Sequence, residues 1–177
     1  MNLQPTLENE LLKLRPLQPE DFDGLYAVAS DPLLWAQHPA TDRYQRDVFL
    51  KLFDESLDSG GALVAIDSAH DRIIGSSRYA LPKRAPDSIE IGWSFLARSH
   101  WGGKYNGAMK QLMLAYAFQH VDYVLFYIGH ENVRSQKAVE KIGGQRLVGA
   151  EFDHLTKDPE VNWTYRISKF EWTDQTD

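Results

Sequence analysis

The chain has 177 residues, of which 43% are hydrophobic and 25% are charged, and its net charge is −6. These values are typical of one folded domain over residues 1–177 and argue against a disordered or membrane-spanning protein. The acidic balance, without a long basic run, argues against nucleic-acid binding. The absence of cysteine excludes disulfides and thiolate metal sites and favours a cytoplasmic protein.

The first third of the chain predicts a strand followed by two helices. Residues 10–15 are rich in leucine and predict the strand. Helix-start signals begin at Pro19, and apolar residues then recur at helical spacing from Phe22 to Ala29. Residues 33–41 resemble a loop, and 42–59 predict a second helix that ends before two glycines.

The remaining two thirds alternate between strand and helix patterns. Strict alternation or short apolar runs bounded by turn residues predict the strands, and apolar stripes at helical spacing predict the helices. The predicted strands are 62–67, 72–80, 88–95, 121–128, 145–152 and 161–172, and the predicted helices are 109–118 and 133–142.

The stretch 90–118 predicts a binding site for an anion. Its strand alternates, so that Ile91, Trp93 and Phe95 should share one face and Glu90 should lie on the other. A glycine-containing loop with Lys104 then leads into a helix N-terminus. Strand, glycine loop and helix together present unpaired backbone N–H groups, which favours a phosphate-bearing ligand.

The element order is β-α-α-β-β-β-α-β-α-β-β, which predicts an α+β (mixed α/β) fold. A central twisted sheet of about seven strands would be flanked by about four helices on these patterns. The strand–helix–strand unit over residues 88–128 predicts a parallel pair, and the hairpins elsewhere predict antiparallel pairs.

Four short motifs occur in this order along the chain: Ile89-Glu90-Ile91-Gly92-Trp93, Trp101-Gly102-Gly103, Tyr116-Ala117-Phe118, and Asn132-Val133-Arg134-Ser135 continued by Glu140-Lys141-Ile142-Gly143. In this order and spacing the chain resembles the GNAT superfamily of acyl-CoA-dependent N-acetyltransferases, and more narrowly the ribosomal-protein N-terminal acetyltransferase type and its small bacterial relatives. The resemblance covers nearly the whole chain. It implies a GNAT-like fold, acetyl-CoA as acyl donor, an amine acceptor and no metal.

The resemblance also implies which residues bind the coenzyme. The loop amides would take the pyrophosphate, the strand end would pair with the pantetheine arm, and basic side chains would contact phosphates. The family's loop pattern, Gln/Arg-x-x-Gly-x-Gly/Ala, meets different residue types at Trp101, Lys104 and Asn106. The predicted coenzyme-binding residues are Phe95, Leu96, Ala97, Arg98, Trp101, Gly102, Gly103, Lys104, Tyr105, Asn106, Asn132, Ser135 and Lys137.

Two residues are predicted to carry the chemistry. In the family the strand of Glu90 splays from its neighbour where the amine meets the thioester, so Glu90 is the predicted general base. The alternative is a surface or ion-paired glutamate. Ser135 shares the inward face of its helix with Val139. Many relatives have, at the position of Val139, a tyrosine that acts as the general acid. Ser135 is the predicted proton donor to the thiolate, unless it serves only to satisfy the first helical turn.

The acceptor is predicted to be a small-molecule or peptide amine. The segment between the first two helices borders the acceptor site in the family, and here it forms an aromatic and basic wall. Trp163 and Trp172, read as exposed on the last strand, permit a homodimer as well as a monomer. The predicted acceptor-site residues are Trp35, His38, Arg43 and Tyr44.

Two other functions are open to this sequence. Gly103-Lys104 superficially suggests a nucleotide-binding P-loop, but Tyr105 follows where Ser or Thr would hold magnesium. A catalytically silent acyl-CoA-binding module with the same fold is the alternative that the altered loop and the missing tyrosine leave open.

Overall fold

The computed structural model describes residues 1–83 and 85–173. The sequence also predicts a short polar tail over residues 173–177, which from residue 174 onward lies outside the described residues. One eight-stranded sheet has the order β1-β2-β3-β4-β5-β6-β8-β7, in which β5 and β6 are parallel and the other neighbours antiparallel. The strands are Leu7–Glu8 (β1), Leu12–Pro16 (β2), Ala62–Asp67 (β3), Arg72–Ala80 (β4), Ser88–Leu96 (β5), Tyr123–Gly129 (β6), Gln145–Arg146 (β7) and Asn162–Ser168 (β8). The helices are Phe22–Ala29 (α1), Arg46–Asp58 (α2), Tyr105–Ala117 (α3), Val133–Glu140 (α4) and Lys169–Thr173 (α5).

The predicted α+β architecture is confirmed, with eight strands where about seven were expected. The predicted bounds of β3 and β4 coincide with the observed ones, and the two strands form the expected antiparallel hairpin. Helix α2 begins four residues later than predicted, because the chain makes a turn in which Gln45 N–H donates to the Asp42 carbonyl. The short strand β1 was not predicted.

The C-terminal predictions are wrong in two places. The predicted strand 145–152 shrinks to β7, since Gly149 adopts φ +124° and a 3₁₀-helix then occupies Ala150–Leu155. The predicted strand 161–172 ends at Ser168, whose hydroxyl caps α5 by accepting from Glu171 N–H at 3.2 Å. The aromatic residues read as exposed are partly buried, because Trp163 and Trp172 pack against the core.

Two buried clusters hold the helices against the sheet. One cluster contains residues of α3 and α4, including Met113 and Val139, and the other contains residues of α1 and α2, including Leu25 and Phe49. Apolar burial of this kind is the main stabilising contribution in a domain of this size. The helices therefore divide into two groups around one sheet.

The predicted alternation of β5 fails after Gly92. Ile91 belongs to the α3–α4 cluster as expected, but Trp93 and Phe95 pack against the α1–α2 cluster. The cause is a β-bulge: the register with β4 shifts between Ser76 and Arg78, and Trp93 has φ +50°. One extra residue in a strand moves every following side chain to the opposite face.

The strands β4 and β5 lie in close contact at Gly75. A Cβ atom there would lie 2.0 Å from the Phe95 carbonyl oxygen, which only backbone movement could relieve. We expect Gly75→Ala to lower the free energy of unfolding by about 3 kcal/mol or more, measured by urea denaturation.

Gly107→Ala in α3 is the matched control, because a Cβ there meets no atom within 4 Å. An alanine inside a helix should raise the stability by about 0.5–1 kcal/mol. Equal stabilities of the two variants would contradict the close approach at Gly75.

Candidate active site

The strands β5 and β6 part at Glu90. Within the described residues they pair at three positions, the last joining Glu90 to Leu125, although both strands run on for several residues. Beyond this point lies a cavity of about 550 Å³, lined by β5, β6, α3, α4 and two loops. The expected splay between these strands is confirmed.

Glu90 lies in the wall of this cavity at the parting of the strands. Its side chain is 8% exposed, and its two carboxylate oxygens lie 3.2 and 3.3 Å from Nζ of Lys157. Burial raises the pKa of the Glu90 carboxyl above its ordinary value, while the charges of Lys157 and Arg78 act in the opposite direction. A carboxylate in this environment is able to exchange a proton nearer neutral pH than an exposed one.

Asn132 and Ser135 lie on the cavity at the start of α4. The predicted N-cap is confirmed, since the Asn132 side chain accepts from Ser135 N–H at 3.3 Å. Ser135, Ala138 and Val139 all line the cavity, so the predicted inward face of this helix is confirmed as well.

Three of the four predicted acceptor-side residues meet at the cavity. Trp35, His38 and Arg43 line it, and the Arg43 guanidinium lies 5.5 Å from the Trp35 ring centre. Burial and the Arg43 charge lower the pKa of His38 to about 4, so its imidazole is neutral near pH 7. Tyr44 lies outside the cavity, partly exposed, with its carbonyl accepting from Tyr26 O–H at 3.2 Å.

The end of β5 is engaged within the protein. The Ala97 N–H donates to the Ile74 carbonyl at 2.7 Å, and the Leu96 carbonyl accepts from the Trp101 indole N–H at 2.8 Å. Phe95 packs between aromatic rings of the α1–α2 side, with its ring centre 5.2 Å from that of Trp35. The backbone groups predicted to pair with pantetheine therefore include two that already have partners.

The loop before α3 is shaped for a helix N-terminus that faces outward. Gly102 adopts φ +69°, and Gly103 has no atom within 4 Å of its missing Cβ. Lys104 is exposed immediately before α3, whose first turn carries no acidic residue. Such a terminus favours an anion. The Tyr105 side chain is not directed at this anion site, because its O–H donates to Oδ1 of Asp67 at 2.7 Å.

Of the remaining predicted coenzyme-binding residues, one lies on the cavity and two lie elsewhere. Asn106 lines the cavity, whereas Lys137 is exposed on α4 and Arg98 pairs with Asp31. A cation that was not predicted, Arg134, stacks on the Trp101 ring at 3.9 Å and links α4 to the glycine loop. Arg134 belongs to the same motif as Ser135, but the position of Arg134 on the helix does not indicate a contact with Trp101.

Lys110 is a cavity residue that sequence reasoning missed. It is 5% exposed, and its Nζ donates to Oγ of Ser94 at 2.5 Å and lies 5.6 Å from the Phe126 ring centre. Burial lowers the pKa of Lys110 to about 7. The signal was available, because Lys110 stands at helical spacing from Met113 and Leu114, on the buried side of α3.

Neither a metal centre nor a membrane helix is found in the described part of the chain. No three or more His, Asp or Glu side chains there are grouped so as to hold a metal ion. None of the helices described has the length and apolar character needed to cross a bilayer.

Comparison with known proteins adds a family to this geometry. The family described as "Acetyltransferase (GNAT) domain" matches residues 12–145. A comparison with curated proteins finds no significant match.

Solved structures share the fold. A GCN5-related N-acetyltransferase from Brucella melitensis has a TM-score of 0.79 and 19% identity, over 96% of this chain and 81% of that one. A GNAT-family acetyltransferase from Bacillus anthracis has a TM-score of 0.73 and 17% identity, over 94% and 100%. Spermidine N-acetyltransferase from Vibrio cholerae, in complex with CoA and spermine, has a TM-score of 0.68 and 15% identity, over 93% and 99%.

The buried amine of Lys110 should make stability depend on pH. Its pKa falls from 10.5 in the unfolded chain to about 7 in the fold, so folding opposes its charge at any pH below 10.5. Lys110→Met should raise the free energy of unfolding by about 3–5 kcal/mol below pH 7, because each pKa unit corresponds to about 1.4 kcal/mol. The gain should shrink as the pH rises from 7 towards 10.5, as measured by denaturation at several pH values.

Lys51→Met, on the exposed side of α2, is the control and should show no such pH dependence. A gain for Lys110→Met that stays constant over this range would show that Lys110 is not held neutral by the fold.

Proposed function

The chain belongs to the GNAT acetyltransferase family, whose domain matches most of it, and is an acetyltransferase enzyme; we propose that it transfers an acetyl group from acetyl-CoA directly to a primary amine. The observation that carries this proposal is the buried carboxylate of Glu90, held in the cavity where β5 and β6 part. A carboxylate so placed faces the gap in which an amine and a thioester would meet.

Acetyl-CoA would bind along the α3–α4 side of this gap. The outward-facing N-terminus of α3, with its glycine loop and Lys104, suits the pyrophosphate. Asn106 and Asn132 line the cavity on this side. The coenzyme supplies the activated acetyl group, and the surrounding residues hold it in line with the acceptor, which lowers the entropic barrier to reaction.

Glu90 would accept the proton of the acceptor amine. The free amine then attacks the thioester carbonyl, forming the N–C bond, and the C–S bond breaks. Backbone N–H groups near the gap would stabilise the oxyanion. As the C–S bond breaks, Ser135 would donate its hydroxyl proton to the thiolate and take up the second proton of the nitrogen, so that a neutral amide and the coenzyme thiol are formed. The position of Ser135 on the cavity supports this assignment.

The acceptor would be a small-molecule or peptide amine. The similar enzyme from Vibrio cholerae is a spermidine N-acetyltransferase, which supports a small amine. The wall of Trp35, His38 and Arg43 on the other side of the cavity would then contact the body of the acceptor.

Replacing the base tests this function directly. Glu90→Gln should lower kcat by about 10²–10⁴-fold, since it removes general-base catalysis while preserving shape. The Kd for acetyl-CoA should stay within about twofold of the wild-type value. Thiol release with a panel of amines gives the rate, and calorimetry gives the affinity.

The control is Glu8→Gln, an exposed side chain on β1, which should leave both quantities unchanged. An unaltered kcat in Glu90→Gln would remove Glu90 from the mechanism. Binding of acetyl-CoA without turnover of any amine by the wild type would identify a silent module instead.

The pH dependence gives an independent check. The ratio of wild-type to Glu90→Gln kcat/KM cancels the titration of the amine itself. Because burial raises the pKa of the Glu90 carboxyl above its ordinary value, this ratio should be level above the raised pKa and fall about tenfold per pH unit below it. A ratio that is flat down to pH 4.5 would contradict proton transfer to Glu90.

A further inference from the structure

Three side chains surround one point in the cavity, and an ammonium group occupies that point. Nζ of Lys157 lies 3.2 and 3.3 Å from the Glu90 carboxylate oxygens, 4.9 Å from the Trp93 ring centre and 5.3 Å from the Tyr127 ring centre. We refer to Glu90, Trp93 and Tyr127 as the ammonium cage.

The cage has the chemistry of a binding site for an organic cation. Aromatic ring faces attract cations, and the attraction increases where water is excluded. A buried carboxylate is costly unless a cation compensates its charge. The β-bulge is what turns Trp93 to the same side of the sheet as Glu90. The cage is therefore part of the fold, whereas its present occupant arrives from a loop.

We propose that the ammonium cage is the acceptor's amine site and that Lys157 occupies it as a tethered competitor in the resting enzyme. This rests on the proposed function. The acceptor class is then a primary amine on an unbranched alkyl chain, because that is the group the cage holds. Such an acceptor would enter as an ammonium ion and give its proton to Glu90 before attack.

Lys157 is placed so that it can leave without disturbing the fold. Its side chain is 44% exposed, and it belongs to the segment between the 3₁₀-helix Ala150–Leu155 and β8. Backbone contacts hold this segment, including the Leu155 carbonyl, which accepts from Tyr127 O–H at 2.9 Å, and the Asp158 carbonyl, which accepts from Val161 N–H. Rotation of the lysine stem alone would vacate the cage.

A tethered competitor acts at high effective concentration. A group on a short tether reaches the millimolar range or more, so an untethered amine must compete against it. Removing the competitor should lower the KM for a simple alkyl amine by about tenfold or more on this basis. The acetyl-CoA site should be unaffected, since Lys157 lies on the acceptor side with Glu90.

The test compares wild type, Lys157→Met and Lys51→Met at mildly alkaline pH. Methionine keeps an apolar stem and removes the charge, and Lys51 supplies an exposed lysine for the matched change. Two quantities are measured: KM for n-butylamine by thiol release, and Kd for n-butylammonium by calorimetry without acetyl-CoA. Both should fall about tenfold in Lys157→Met and remain unchanged in Lys51→Met.

A second variant tests the cage itself. Trp93→Leu should raise the Kd for n-butylammonium, measured in the Lys157→Met background so that the tethered competitor is absent. The loss of one ring face should cost about fivefold or more. Circular dichroism establishes that the doubly substituted protein is folded.

The outcomes separate this proposal from the proposed function. Tighter butylammonium binding in Lys157→Met, with no acetyl transfer by any variant, supports competition by Lys157 for the cage and contradicts the proposed transfer to an amine. Turnover of amines with the same KM and Kd in wild type and Lys157→Met overturns the proposal and leaves the function standing. Faster transfer to a peptide α-amine than to n-butylamine by Lys157→Met also overturns it, because the acceptor class is then wrong.

Discussion

The parting of β5 and β6 is the constraint on which the rest of the structure depends. Two strands that stop pairing leave backbone groups without partners, which is normally costly inside a fold. Here each strand keeps its other neighbour, because β5 still pairs with β4 up to Leu96 and β6 pairs with β8 up to Gly129. These two neighbours hold the strands on either side of the gap in place, and the cavity beyond Glu90 lies between them.

One extra residue at the bulge determines which side chains serve the gap. Trp93 turns towards Glu90, while Ser94 turns towards Lys110 on α3. The acceptor-side cage and the buried lysine therefore lie on opposite faces at the same end of one strand. A regular strand would have put Trp93 with Ile91, in the core beneath α3.

The sequence predicted those features of the fold that depend on interactions between residues close together in the chain. Alternation and turn chemistry located β3 and β4, and helical spacing put Ser135 on the inward face of α4. The bulge in β5 was not predicted because it depends on the register with β4, which the sequence of β5 alone does not reveal. The contact of Lys157 with Glu90 was not predicted for a related reason. The two residues are 67 positions apart in the chain, and Lys157 lies in a loop with no motif of its own. Contacts of that range depend on the whole topology.

The origin of Lys157 in a loop bears on how such an enzyme changes its acceptor. The chemistry depends on the sheet, where substitutions disturb packed neighbours and cost stability. The occupant of the cage depends on a surface segment, where replacements and length changes cost little. Selectivity is therefore free to diverge in the segment before β8 while Glu90 and the gap stay intact. The same scaffold can be retuned, by selection or by design, without rebuilding its catalytic centre.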